Sequence, residues 1–209
     1  TVLTTHFTEL VKENMAELLS FGSVKQLIED LPKPQSSLIG DITPQQITVS
    51  GIQRILQNLL RERISIRDFG TILEAIAEAT SASTDLLSVT EHVRTRLSRQ
   101  LCNAHLDASG ALPIVALSPN WEQAFAESLV GVGADRQLAL EPSRLHQFVA
   151  DLRNAFERAS QTGDSPVLLT SAGVRPYVRS LVERFRPQTI VMSQNEIHPK
   201  ARLRSAGAV

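Results

Sequence analysis

Ser193, Asn195, Glu196 and His198 fall close together in the stretch VMSQNEIHP, directly after a short apolar run. A hydroxyl, a carboxylate and an imidazole in such proximity are the parts of an acid–base or nucleophilic centre. If the apolar run is a strand of a parallel sheet, its carboxyl end is also where such folds place ligands. Other features oppose catalysis. The sequence has no GxSxG nucleophile elbow. Its Gly-containing segment GVGAD (131–135) lacks both the lysine of a phosphate-binding loop and a preceding strand. His198 precedes Pro199, which biases it towards extended backbone. Asn195 and Glu196 are types that satisfy nearby backbone groups in turns. The stretch is therefore read as a structural or interaction turn that leads into a final strand, with no catalytic residue.

The remaining reactive side chains form no pattern with a chemistry. Cys102 is the single cysteine and falls in an apolar helical stretch, where a thiol packs as a small hydrophobe. His6, His92, His105 and His146 have no ligand-type partner four residues away, so neither a metal nor a cofactor is expected. Glu74 and Glu78, four apart, read as a solvated helix face. Arg54, Arg61, Arg63 and Arg67 lie near the turn of a helical pair at 51–62 and 65–79, which raises a helix-turn-helix. Glu62, Asp68, Glu74 and Glu78 share those helices, however, and a groove-reading helix needs a surplus of positive charge. Lys200, Arg202 and Arg204 recur at period two, as on one face of an edge strand protected by charge, or as a docking patch for an acidic partner.

The elements that must position these groups follow from periodicity. Residues 5–20 place Phe7, Leu10, Val11, Met15, Leu18 and Leu19 on one helical face, with Gly22 as the stop. Ser23 starts a second helix, which Pro32 and Pro34 end, and residues 32–45 read as a connector. Ser50 caps a helix carrying Ile52, Ile55, Leu56, Leu59 and Leu60. Asp68, with Ser65, caps one burying Phe69, Ile72, Leu73 and Ile76. Asp85 caps a third with Val89, Val93, Leu97 and Leu101. The pattern then changes. Three strand-length apolar runs, LPIVAL (112–117), PVLLT (166–170) and TIVMS (189–193), alternate with helices that start at Ser118-Pro119, near Ser143 and at Ser171. ARLRSAGAV reads as a fourth strand at a sheet edge. The fold class is mixed, a helical subdomain followed by a small α/β subdomain with a mostly parallel sheet.

Composition bounds the function. With 42% hydrophobic residues the chain builds a packed core, and with only 4% aromatics that core is aliphatic. A net charge of −1 supplies no general attraction to nucleic acid or to an anionic membrane. No run of apolar residues is long enough to span a bilayer. The chain begins at Thr1 rather than Met, and reads as part of a longer protein.

Two long stretches are specific. IQRILQNLLRERISIRDFGTILEAIAE (52–78) and PVLLTSAGVRPYVRSLVERFRPQTIVMSQNEIHP (166–199) resemble the cytoplasmic domain of the FlhA (FHIPEP) family, membrane components of the flagellar type III protein export gate. The resemblance covers almost the whole chain. It implies that residues 1–40 hold the helical tail of a first cytoplasmic subdomain plus a connector, 41–108 a helical third subdomain, and 109–209 an α/β fourth. It implies a non-enzymatic docking platform at the cytoplasmic face of the bacterial inner membrane, with membrane contact through a missing amino-terminal half. The implied partners are export chaperone–substrate complexes, export ATPase-associated proteins and further copies in a ring, with no nucleic acid. Thr5, with His6 beside it, matches the family segment that contributes a threonine to the chaperone-binding hollow. Virulence secretion gates share much of this pattern, while NEIHP is closer to the flagellar form. A DNA-binding regulator with an α/β sensor domain is the alternative from a different class.

Overall fold

The structure, a computed structural model, describes residues 14–209. The chain divides into two compact units, the first ending at Leu97 and the second spanning Ser98–Val209.

The first unit is helical because its apolar residues repeat at helical spacing and most of its helices start at a side-chain cap, from Ser20, Thr48, Asp68 or Asp85. Residues 14–18 are helical. After them come α1 (Phe21–Glu29), α2 (Lys33–Ile42), α3 (Val49–Arg61), α4 (Phe69–Thr80) and α5 (Leu86–Arg96). Asp68 and Asp85 cap α4 and α5 by accepting from Thr71 N and Ser88 N. Ile52, Ile55, Leu56 and Leu59 of α3, Ile72, Leu73 and Ile76 of α4, and Val89 and Val93 of α5 are all buried, and α5 packs against both α3 and α4.

Four details differ from the sequence reading. The segment 32–45 is not only a connector, because α2 occupies most of it. Pro34 sits in the first turn of α2, where a missing N–H breaks no helical bond. Helix α1 starts after Ser20, whose hydroxyl accepts from Ser23 N, and Gly22 lies inside it. The cap of α3 is Thr48, which accepts from Gly51 N, rather than Ser50. The expected long third helix breaks at Leu97, so that α6 (Ser98–Asn103) belongs to the second unit.

In the second unit, β1 (Leu112–Ala116) is followed by α7 (Pro119–Glu127), then β2 (Leu129–Val130) and β3 (Gln137–Leu138), then α8 (Pro142–Gln161). The chain continues through β4 (Val167–Thr170), α9 (Arg175–Val182), β5 (Val191–Ser193) and β6 (Leu203–Ala208). The main sheet has the order β5-β4-β1-β6, with every pair parallel. The strand and edge expectations hold, with β6 at one border. Two features differ. Residues 129–138 form a small antiparallel hairpin, where sequence shows only helix-ending glycines. Gly131 is required there: its φ is +89°, and a Cβ would lie 2.7 Å from the Asp135 carbonyl oxygen. Helix α9 begins at Arg175, and residues 171–174 form a turn ahead of it.

The core of the second unit joins Val115, Leu168 and Val191 of the sheet to Trp121, Phe125, Phe148, Leu152, Val178 and Val182 of the helices, so it is not the wholly aliphatic core that composition implied: several of the few aromatic residues gather in it. Phe125 and Phe148 meet edge to face at 4.9 Å, and Trp121 lies 5.2 Å from Phe148. Such pairs add to simple burial. Phe125→Ala should therefore cost about 3–5 kcal/mol of stability. Trp121 is the sole tryptophan and touches this cluster, so urea unfolding followed by its fluorescence reads the loss directly. A change under about 1 kcal/mol would contradict this packing account.

Candidate functional site

The polar stretch after β5 is folded as a single turn of 3-10 helix, Gln194–Glu196. Its geometry is a capping box: the Ser193 side chain receives the backbone N–H of Glu196, and the Glu196 carboxylate receives that of Ser193 at 3.2 Å. The other carboxylate oxygen of Glu196 lies 3.6 Å from Arg175 Nε, with both side chains almost wholly buried. Arg175 also donates to the Val191 carbonyl at 3.1 Å. The carboxylate thus neutralises a buried guanidinium and closes a turn.

The neighbours of this turn are also engaged. The Cys102 thiol donates to the Glu196 carbonyl at 3.5 Å, and its sulfur accepts from His198 N at 3.4 Å. Burial pushes the Cys102 thiol above its ordinary range, with the His198 amide opposing, so the nucleophilic thiolate is disfavoured. His198 Nδ1 accepts from Lys200 N at 3.2 Å, which orders the following bend. Ser193, Glu196 and His198 therefore gather around one turn as expected, while Asn195 is exposed at its surface. Arg175 is the member that spacing alone did not reveal. Its one sequence signal is an arginine ahead of Pro176 at the start of a helix, and its partner is 21 residues away.

The carboxyl ends of β1 and β4, where a ligand would be sought, are occupied from within. Glu122 of α7 accepts from Ser171 N at 2.7 Å and from the Ser171 hydroxyl at 2.6 Å. Both carboxylate oxygens are thereby placed against the loop after β4. At the opposite ends of these strands, Arg204 donates to Asp107 at 2.9 Å and to both oxygens of Asp164, at 2.6 and 3.2 Å. The period-two face expected for Lys200, Arg202 and Arg204 is not formed as such. The strand starts only at Leu203, Arg202 donates to the Ser109 carbonyl, and Arg204 serves the two aspartates.

In the helical unit, Arg94 of α5 is buried and lies 3.3 Å from Glu62 at the end of α3. Glu78 of α4 receives Arg96 and, at 2.9 Å, His92 of α5. Those contacts, Arg96 first, hold its carboxyl below the ordinary range. Helix α4, the second helix of the pair weighed as a helix-turn-helix, buries Phe69, Ile72, Leu73 and Ile76 on one side and exposes Glu74 and Glu78 on the other.

The surface also carries a recess and an exposed apolar tip. A recess of about 440 Å³ is lined by Met15, Leu60, Arg63, Ile64, Ser65, Ile66 and Arg67. The hairpin tip carries exposed Val130 and Val132. Thr5 and His6 lie outside the described residues. Among the described residues no group of three or more His, Cys, Asp or Glu is placed to hold a metal ion, and no helix is long and apolar enough to cross a membrane.

Comparison with known proteins gives consistent matches. The FHIPEP family matches residues 1–202. The flagellar biosynthesis protein FlhA of Caulobacter vibrioides is 57% identical over 209 residues, which is 100% of this chain and 30% of that protein. The chain thus spans about 30% of the length of the curated relatives it matches. Among solved structures, that of the Chlamydia pneumoniae CdsV and CdsO protein complex superposes with a TM-score of 0.88 at 29% identity, over 99% of this chain and 61% of that one. The nonameric SctV-C of EPEC gives 0.86 at 25% identity, over 99% and 62%.

Removing the Glu196 charge takes from buried Arg175 the carboxylate that lies 3.6 Å from its Nε. Glu196→Ala should cost about 3–5 kcal/mol in chemical denaturation, whereas His198→Ala, which loses one bond at the surface, should cost about 1 kcal/mol. Equal small losses would show that the buried pair does not hold this turn. The two aspartates predict a pH effect of definite sign. Arg204 holds Asp164 below its ordinary 3.8, and Ser109, Ala111 and Arg204 hold Asp107 lower still. Stability from depressed carboxyls is complete above the ordinary value and lost as pH falls below it. Acid titration of stability should therefore be shallower in Asp107→Asn than in the wild type.

Proposed function

Because this chain belongs to the FHIPEP family, we propose that it is the carboxyl-terminal cytoplasmic part of a flagellar type III export gate protein. In this reading it is a docking platform that receives export chaperone–cargo complexes and export ATPase-associated proteins while a flagellum is built. The observation that carries the flagellar reading is 57% identity across the whole chain to the Caulobacter FlhA, against 29% and 25% for CdsV and SctV-C. The nonameric state of SctV-C and the structure of CdsV with CdsO support a ring that binds a partner. On this reading the platform lies at the cytoplasmic face of the inner membrane and is joined to it through sequence outside these residues.

The internal chemistry agrees with such a role. Glu196, Glu122, Asp107, Asp164, Glu62 and Glu78 each bind a group of the same chain, so they hold surfaces in register. Chaperone recognition would draw on Thr5, with His6 beside it, in a hollow completed by sequence that precedes this chain. Residues 1–40, 41–108 and 109–209 would then supply the end of a first subdomain, a helical third and an α/β fourth. No cofactor enters this function.

Exchange of segments tests the reading. A Caulobacter vibrioides FlhA whose matching carboxyl-terminal segment is replaced by this chain should restore swimming in soft agar to cells lacking FlhA. A chimaera that accumulates normally in the membrane yet exports no flagellar protein would overturn the proposal.

A further inference from the structure

β6 is held differently from the other strands of its sheet. β5 buries all three of its side chains and β4 all but one, whereas no residue of Leu203–Ala208 is buried. β6 also lies at the sheet border and pairs only with β1. That pairing is irregular, with a register shift between Ile114 and Val115. Ala206 and Val209 are only partly buried against the core.

Most of the side-chain anchorage of β6 comes from Arg204. Asp107 stands in the turn before β1 and Asp164 in the turn before β4, so one guanidinium ties the border strand to the leading ends of two others. Arg204 is 40% exposed, and Asp107 and Asp164 are 21% and 17% exposed, which leaves the clip open to water and salt. A segment with little buried apolar area and one solvent-reached anchor opens at lower free energy than the core it rests on.

We propose that β6 is a strap that opens separately from the rest of the sheet, and that the Arg204 clip on Asp107 and Asp164 sets how often it does so. Opening makes β1 the new border strand. Its Leu112 and Val115 are fully buried when the strap is closed.

Hydrogen exchange of the full chain, resolved to peptides covering 201–209 and 166–170, tests this. The β6 amides should exchange faster than those of β4. Arg204→Ala should speed β6 by about fivefold and leave β4 unchanged. Added NaCl should speed β6 in the wild type, because a partly exposed ion pair is screened, and should have less effect in the variant. Equal exchange of β6 and β4 in the wild type would overturn the proposal, as would β6 exchange indifferent to both substitution and salt. If the alanine variant does not fold, the wild-type salt series decides: a rise confined to β6 supports the strap, and no rise refutes it.

Discussion

The second unit depends on a crossing. The chain leaves β5 at one border of the sheet and must begin β6 at the other, parallel to its neighbours, after residues 194–202. That path passes two strands, about 14 Å at the usual spacing between strands, and it contains no long helix to stiffen it. What fixes it is the Glu196 carboxylate, which closes the capping box with Ser193 and pairs with buried Arg175 at the start of α9. Cys102 of α6 then holds the backbone on either side of Ile197. Without that tie, the first residues of the crossing would have no reason to turn where they do, and β6 would be delivered to no fixed place.

The same device recurs at a smaller scale. Glu122 fastens α7 to the loop after β4, Arg204 fastens β6 to the turns before β1 and β4, and Glu62 pairs with Arg94 between α3 and α5. In each case an acidic or basic side chain joins elements distant in sequence. Such contacts add specificity more than net stability, because desolvation offsets much of the attraction. Under the docking role proposed above, such contacts would give a partner a surface of defined shape to meet. This is why a cluster that resembles an acid–base centre in sequence works as scaffolding in three dimensions.

Periodicity made the apolar framework legible. The stripes Ile52–Ile55–Leu56–Leu59 and Phe69–Ile72–Leu73–Ile76, and the strand runs around Val115, Leu168 and Val191, lie in the core as their spacing requires. Three kinds of feature were not legible. Helix α2 was hidden because its prolines also serve to end α1, and only position in the first turn separates the two roles. The hairpin 129–138 has strands too short to show alternation. The partners of Glu196, Glu122 and Arg204 are brought together by topology alone, and Arg204 meets an aspartate 97 positions away. The turn at 193–198 was readable as a turn because Asn195 and Glu196 are types that satisfy nearby backbone groups and Pro199 biases His198 towards extended backbone; that Glu196 closes a capping box with Ser193 and neutralises Arg175 was not.

The central claim is that Glu196 and Arg175 act as one structural unit. A double-mutant cycle on urea stability, with Arg175→Met, Glu196→Leu and both together, measures it directly. The account predicts that each single change costs several kcal/mol and that the double variant recovers much of the loss, a coupling of about 1 kcal/mol or more. Strictly additive losses would contradict it, because the two side chains would then be shown to hold the crossing independently.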